Sequence, residues 1–276
     1  MGGSTIVVGW GLGLALLALT VLTVTVAAAG RLGVSVASVV AVGRAVLQLA
    51  LVSGVIVAVV GSWSSTVAFV ALMFGVASWT AARRMTRDRS GSAAALSILA
   101  GTAPVLVVVA ATGAVPLTGL AVVPVSGIII GGAMTATSLA GRRALDQLTD
   151  RRGEYEAALS LGFLDRDAAI EVIRPSAHDA LVPALDQTRT VGLVTLPGAF
   201  VGVLLGSGDP VQAGAAQVLV LVGLLAAETI AVLVTIELIA RGGIRRADGP
   251  GSSGLLAPGC PSGANRRWVS RRPRRS

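Results

Sequence analysis

The sequence contains no lysine, one cysteine and one histidine, and each shortage excludes a class of protein. A P-loop needs a lysine that reaches the phosphates of ATP, so this chain has no ATPase site of that kind. The single cysteine, Cys260, cannot build a disulfide framework. The single histidine, His178, excludes a histidine-rich metal site within one chain, and no catalytic Ser-His-Asp or Cys-His set falls in one region. We therefore predict neither an enzyme nor a bound cofactor, and any ATP would be hydrolysed on a partner chain.

Charged residues are also scarce, at 13% of the chain, whereas 54% of its 276 residues are hydrophobic. The mean hydropathy is +0.81. This composition excludes an ordinary water-soluble domain and is typical of an integral membrane protein.

Long uncharged runs give the number of membrane spans. Residues 45–82 form a run of 38 without charge, which as one helix would reach about 57 Å against a hydrocarbon core of about 30 Å. The run must turn, and so must residues 90–141, and Gly/Ser- or Pro-containing breaks mark both turns. We predict an all-α polytopic membrane protein with about seven spans. The first span is Thr5–Gly30. The second starts near Val34 and the third ends near Ala82, with a turn at Gly61–Ser65 between them. The fourth and fifth lie between Ser90 and Gly141, with a turn near Gly113–Leu117, and the sixth and seventh are Thr190–Leu205 and Val211–Ala240.

The arginines give the orientation. With the N-terminus outside, all 22 lie in segments that face the cytoplasm, as the positive-inside rule requires. We therefore predict an N-out, C-in permease domain over residues 1–241 in the cytoplasmic (inner) membrane. The remaining residues, 242–276, are rich in Gly, Pro, Ser and Arg, which predicts a disordered basic tail. The net charge of +8 lies mostly in this tail, where it indicates topology and contact with anionic lipid rather than nucleic-acid binding.

One charged insert, residues 142–189, interrupts the apolar sequence with seven arginines and nine acidic residues. Its apolar residues keep helical spacing. Gly162 is a plausible helix C-cap, and Pro175 and Pro183 are expected to break the second helix into short pieces. A helical, water-soluble insert between spans indicates a cytoplasmic partner.

Within the insert, Glu156-Ala157-Ala158 is followed by Gly162 and later by Ile173 and Pro175. The pattern resembles the coupling-loop motif of ABC transporter permeases, which is EAA, three residues, G, and later I-x-P. The same residues also suit a surface helix with a glycine cap. On the coupling interpretation, Ile170 and Ile173 would be the apolar anchors that dock on the ATPase, and Glu156 would meet a basic or amide group there.

A wider resemblance favours coupling. The chain resembles the permease family of the bacterial iron exporter FetB and the plant aluminium-tolerance permeases, over about 200 residues and in the right order. This resemblance implies the membrane subunit of an ABC transporter that works as a dimer with separate ATP-binding subunits and exports a metal ion such as iron. Two positions depart from the family pattern: Gly132 stands where Asn is expected, and Glu228 stands where small or hydroxyl residues are expected. The matching stretches are Gly43–Leu49, Val123–Gly127 with Gly131 and Met134, Leu159–Gly162, Ala180–Pro183 and Thr190–Gly198.

Several residues in the spans are candidates for the transport pathway, each with a structural alternative. Glu228, near mid-span, could bind a cation or proton, or be a protonated carboxyl bonded to a neighbouring helix. Pro197-Gly198 could be a gating hinge or a packing kink. The other candidates are Gln48 and Gln217, either bonded between helices or lining the pathway, and Met134, either a soft metal contact or packing. Alternative functions are a proton-coupled secondary transporter that uses Glu228, a membrane scaffold, or an ABC permease for a sugar nucleotide.

Overall fold

The computed structural model describes residues 9–86 and 88–246 as helices joined by short turns. In this part of the chain the extended pairing is limited to one isolated bridge between Val191 and Thr195. The all-α prediction is confirmed. The described residues divide into two compact units, one formed by residues 9–69 and 118–120 and the other by residues 70–86, 88–117 and 121–246.

The first unit contains α1 (Trp10–Ala29), α2 (Ser35–Val60) and the first turns of α3 (Trp63–Met85). A tight turn at Gly61 and Ser62 joins α2 to α3, inside the stretch where the sequence predicts a turn. The buried Thr66 hydroxyl donates a hydrogen bond to the Val59 carbonyl at 2.9 Å. This bond satisfies an acceptor at the end of α2 that the helix itself leaves free.

The second unit contains the rest of α3 and most of the polar insert. A 3-10 turn over Arg89–Ala93 leads into α4 (Ala94–Ala111), and α5 (Gly119–Asp150) continues well beyond its apolar part. The other helices are α6 (Arg152–Ser160), α7 (Asp165–Thr190), α8 (Gly198–Ser207) and α9 (Pro210–Ala240).

Small side chains let α4, α5 and α9 approach closely. A Cβ added to Gly101 of α4 would lie 2.3 Å from the Ala227 carbonyl oxygen of α9. The core cluster around this contact is rich in fully buried alanines. They are Ala81, Ala94, Ala133, Ala140, Ala144 and Ala231.

The predicted count of seven helical spans differs from the structure. Six helices of the described residues are long and apolar enough to cross a bilayer: α1, α2, α3, the 3-10 turn with α4, α5 and α9. The sixth predicted span, Thr190–Leu205, is not one helix. Gly192 has φ +84° and Pro197 precedes α8, so only ten helical residues follow, or about 15 Å. That length is half of the hydrocarbon core.

The prediction that prolines break the second helix of the insert is wrong. Helix α7 runs for 26 residues through both Pro175 and Pro183. Each proline removes one main-chain hydrogen bond, but both lie on the exposed side of α7. Burial of the opposite side holds the helix together, and Ile173 and Ala184 lie on that side.

The tail boundary also differs, because residues 242–246 are folded. Ile244 is 1% exposed in the core, and Arg246 bonds Asp146 of α5 at 2.6 Å. The rest of the predicted tail, residues 247–276, lies outside the described residues.

The arginine-bearing ends of the second unit lie together. Ser90 before α4 shares hydrogen bonds with the backbone of Arg245, and Arg166 of α7 bonds Glu237 of α9. The predicted N-out, C-in orientation places these ends on the cytoplasmic side, and that orientation stays a prediction.

Candidate coupling segment and interior carboxyl

The turn between α6 and α7 is built around Gly162. The Gly162 N–H donates to the Leu159 carbonyl at 3.0 Å, and the Phe163 N–H donates to the Ala158 carbonyl at 3.2 Å. These two bonds form a Schellman motif, which needs a residue with positive φ after the helix, and Gly162 has φ +90°. The predicted glycine cap is confirmed.

Three apolar side chains surround this glycine and face outward. Leu161 is 80% exposed, Phe163 is 49% exposed and Leu164 is 73% exposed. We call residues 161–164 the apolar tip. It holds the three most exposed large apolar side chains of the insert, and three large apolar residues around a glycine are the sequence signal that could have identified it.

The anchors predicted from the sequence lie elsewhere. Ile173 is fully buried in the core, and Ile170 is partly buried against it, so Ile173 is not a surface anchor. Their i, i+3 spacing marks the side of α7 that packs on its own chain. The prediction therefore mistook an internal apolar face for an external one.

The other predicted coupling residues lie on or near the surface. Glu156 is exposed and pairs with Arg152 at 2.7 Å, one turn back on α6. Ala157 is exposed, Ala158 is partly buried, and Pro175 is on the outside of α7. Their docking roles stay predictions.

The segment is tied firmly to two spans. Helix α5 runs nine residues into the insert before Arg151 turns the chain into α6, and Arg151 pairs with Glu154 and donates to the Val172 carbonyl of α7 at 3.3 Å. Arg166, in the first turn of α7, makes two bonds to the Glu237 carboxylate of α9, at 2.7 and 2.8 Å. A force on α6 or α7 therefore reaches both α5 and α9.

A cavity of about 330 Å³ lies beneath this junction. Leu145, Tyr155, Ala169, Ile239 and Ile244 are among its lining residues, so its walls come from α5, α6, α7 and the end of α9. Burial raises the pKa of the Tyr155 phenol above its ordinary value, and nearby Asp165 raises it further. The phenol therefore stays neutral at physiological pH.

In the span interior, Glu228 of α9 faces Gly132 of α5. A Cβ at Gly132 would lie 2.6 Å from the Glu228 Oε1 atom and 2.1 Å from the Leu224 Cδ1 atom. The two positions expected to depart from the family pattern therefore lie together, and the glycine leaves the room that the glutamate fills. Glu228 is 8% exposed, and it is the one buried acidic or basic residue in the part of the chain that the structure describes. Both alternatives for Glu228, a cation or proton site and a protonated carboxyl bonded to a neighbouring helix, stay predictions.

The remaining pathway candidates are dispersed. Gln48 is exposed on α2 of the first unit. Met134 packs against the core of the second unit. Pro197 and Gly198 mark the N-terminus of α8. Gln217 is buried on α9 and accepts a hydrogen bond from the Phe200 N–H of α8 at 3.1 Å, as the interhelical alternative predicted. The structure thus gathers Gly132 and Glu228 but not the other candidates.

No group of three or more possible metal-binding His, Cys, Asp or Glu side chains occurs among the described residues. Six spanning helices, a short apolar α8 and a polar helical insert define the chain as a polytopic, all-α membrane protein.

Comparison with known proteins gives the family. The chain matches the uncharacterised protein family UPF0014 over residues 10–243, and it belongs to this family. It is 34% identical over 208 residues to the UPF0014 membrane protein STAR2 of rice, covering 74% of this chain and 73% of that one.

Two further relatives carry names that indicate different metals. The chain is 31% identical over 192 residues to the protein ALUMINUM SENSITIVE 3 of Arabidopsis thaliana, covering 68% of this chain and 70% of that one. It is 30% identical over 203 residues to FetB of Escherichia coli, named as a probable iron export permease, covering 72% of this chain and 78% of that one. No solved structure matches the chain.

Proposed function

We propose that this permease is the membrane subunit of an ABC transporter and that its apolar tip docks on a separate ATP-binding subunit. The observation that carries the proposal is the exposure of Leu161, Phe163 and Leu164 at the end of a rigid helical segment. Exposed apolar side chains in the middle of a charged segment are typical of a protein interaction site. Buried anchors of this kind dominate interface energies.

The contacts at the base of the segment explain how docking could drive transport. Helix α5 enters the segment without a break until Arg151, and Arg166 binds the Glu237 carboxylate of α9. When two ATP-binding subunits close, a displacement of the tip would move α5 and α9 together. These helices enclose Glu228, so the interior of the bundle would change with the nucleotide state.

A charge placed on the tip tests the docking surface. Leu164→Asp puts a charged carboxylate where an apolar contact is proposed, and we expect at least a tenfold loss of affinity for the ATP-binding subunit, equivalent to about 1.4 kcal/mol or more. The measurement is copurification and the dissociation constant with the permease in nanodiscs. Because Leu164 is 73% exposed, the permease should still fold.

Gly153→Asp is the matched control. It adds the same charge at an exposed position of the first turn of α6, where a negative charge is favourable and nothing lies within 4 Å of the new Cβ. We expect unchanged binding. Equal affinities for the two variants would mean that the tip is an ordinary surface turn and would remove the support for docking there.

For the cargo we propose a metal cation such as iron, exported across the cytoplasmic membrane by a homodimer. Two lines support a cation: Glu228 places a carboxyl inside the bundle, and the names of two relatives refer to iron export and to aluminium. Direct transport assays with reconstituted permease and ATPase, using iron, aluminium and a sugar nucleotide, separate the alternatives. Accumulation of the sugar nucleotide alone would exclude the metal.

A second candidate function, a proton-coupled carrier, is favoured by the same carboxyl. A carboxyl inside a membrane span is typical of proton relays. Transport that stops when the proton gradient is collapsed, but continues without ATP, would identify this carrier. Transport that follows ATP and ignores the gradient would exclude it.

A further inference from the structure

The cavity beneath the junction of α5, α6 and α7 combines an apolar interior with charged residues at its mouth. We call it the junction cavity, and its inner walls include Leu145, Ile239 and Ile244, which are all buried. Its volume of about 330 Å³ lies within the range of about 300–1,000 Å³ that is usual for ligand sites. Such a lining suits an amphipathic ligand. The charged residues that line the cavity are Asp165, Arg166, Arg241, Arg245 and Arg246.

Two of these arginines are held in place by carboxylates that do not line the cavity. Arg241 donates from Nε to Glu237 at 2.6 Å, and Arg246 donates from Nη1 to Asp146 at 2.6 Å. The carboxylates balance part of the positive charge, but each bond uses only one of the five N–H donors of a guanidinium. The mouth therefore offers oriented N–H donors, and the planar guanidinium fork matches the oxygens of a phosphate group.

The junction cavity lies where two spanning helices leave the membrane. Ala240, in its lining, is the last residue of α9, and Arg241 follows at once. The uncharged part of α5 ends at Gly141, and the lining residues Leu145 and Thr149 lie about 6 and 12 Å beyond it, at 1.5 Å per residue. The headgroup layer on each side of a bilayer is about 5–8 Å thick. A phospholipid beside these helices therefore carries its phosphate at the level of the cavity.

We propose that an anionic phospholipid of the surrounding membrane binds in the junction cavity. Its phosphate accepts hydrogen bonds from Arg241 and Arg246, and the start of one acyl chain lies against the apolar walls. Basic pockets between membrane helices are suited to anionic headgroups, whereas the arginines repel the ammonium group of a zwitterionic lipid. Because α5, α6, α7 and the end of α9 form the walls, the lipid joins the coupling segment to a span. The site is complete within one chain and does not depend on docking of an ATP-binding subunit.

Thermal unfolding of the purified full-length chain in a nonionic detergent tests the class of ligand. The probes are phosphatidylglycerol, diacylglycerol with the same acyl chains, which lacks the phosphate, and glycerol 3-phosphate, which lacks the chains. We expect phosphatidylglycerol at ten times its dissociation constant to raise the midpoint of unfolding by about 3–6 °C, and the other two at the same concentration to raise it by less than about 1 °C. An equal rise with diacylglycerol would show that the arginines do not recognise the ligand. An equal rise with glycerol 3-phosphate would show a site for a free anion, and either result overturns the proposal.

Two matched arginine variants locate the site. Arg241 is exposed and pairs with Glu237 one turn away at 2.6 Å. Arg152 is exposed and pairs with Glu156 one turn away at 2.7 Å, but it does not line the cavity. We expect Arg241→Gln to weaken the binding of phosphatidylglycerol by about fivefold and Arg152→Gln to leave it unchanged. Equal dissociation constants for the two variants would place the lipid elsewhere and overturn the proposal.

A larger side chain at Thr149 tests whether the lipid enters the cavity. Thr149 is an exposed lining residue, so Thr149→Phe takes up space in the cavity and leaves every arginine in place. We expect the affinity for phosphatidylglycerol to fall by at least about tenfold, and the midpoint of unfolding without lipid to stay within about 2 °C. Thr149→Ser, which adds no volume, is the control and should bind as the unchanged chain does. If Thr149→Phe also binds normally, the lipid does not occupy the cavity and the proposal is overturned.

Discussion

Gly162 offers the sharpest test of the coupling segment, because its substitution changes the backbone without changing a contact. Its φ of +90° closes the Schellman motif between α6 and α7. A Cβ added there meets nothing within 4 Å. Any effect of Gly162→Ala is therefore backbone strain and not a clash.

The size of the effect follows from that strain. An L-residue other than glycine pays about 1–2 kcal/mol for a left-handed conformation. The strain is relieved when the turn opens, and docking of Leu161, Phe163 and Leu164 must close it again. Binding to the ATP-binding subunit should therefore weaken by about 5- to 30-fold for Gly162→Ala. Gly162→Asn should cost less, because asparagine tolerates this region, and Gly162→Val should cost more, because a β-branched residue is an outlier there.

The assay measures the dissociation constant between each variant in nanodiscs and the ATP-binding subunit. We expect this constant to rise in the order Gly, Asn, Ala, Val at position 162. Chymotrypsin cleavage after Phe163 supplies a readout that needs no partner, because cleavage follows the open population of the turn. The same order is expected in the cleavage rate. If alanine and asparagine behave like glycine in both measurements, the turn is not under the strain that its φ implies and the reasoning fails.

Three further predictions concern orientation, the interior and the core. In a cysteine-free background, Gly208→Cys should react with an impermeant reagent from outside intact cells and Gly153→Cys only after permeabilisation; the opposite pattern would invert the predicted N-out topology. Gly132→Asn should lower the free energy of unfolding by about 1–3 kcal/mol, because the new side chain overlaps Glu228. Adding Glu228→Ala should recover part of this loss. If the losses of the two single variants simply add in the double variant, the two positions are not coupled. Ile173→Asp should abolish membrane expression because it puts an unpaired charge in the core, whereas well-expressed protein that fails to bind the ATPase would return Ile173 to the docking surface.

The polytopic helical fold could be predicted from local sequence properties. Uncharged runs too long for one span must turn, and the structure turns at Gly61–Ser62 and in residues 112–118, as predicted. Gly162 could also be predicted as a cap, because the preference of glycine for positive φ is a property of one residue. The family likewise followed from short stretches such as Thr190–Gly198.

Only the tertiary structure decided what the faces of α7 contact. Periodicity identifies an apolar side of a helix but not whether that side contacts its own chain or a partner. Ile173 was therefore predicted as a docking anchor although it is buried, and the exposed apolar tip was not predicted. Proline rules describe an isolated helix, yet burial on one side carries α7 through Pro175 and Pro183. Gly132 and Glu228 are 96 residues apart in sequence, and nothing local predicts that one leaves the space that the other fills. Local chemistry therefore determined the helices and most of their ends, whereas contacts between distant segments decided which side chains remain free to act.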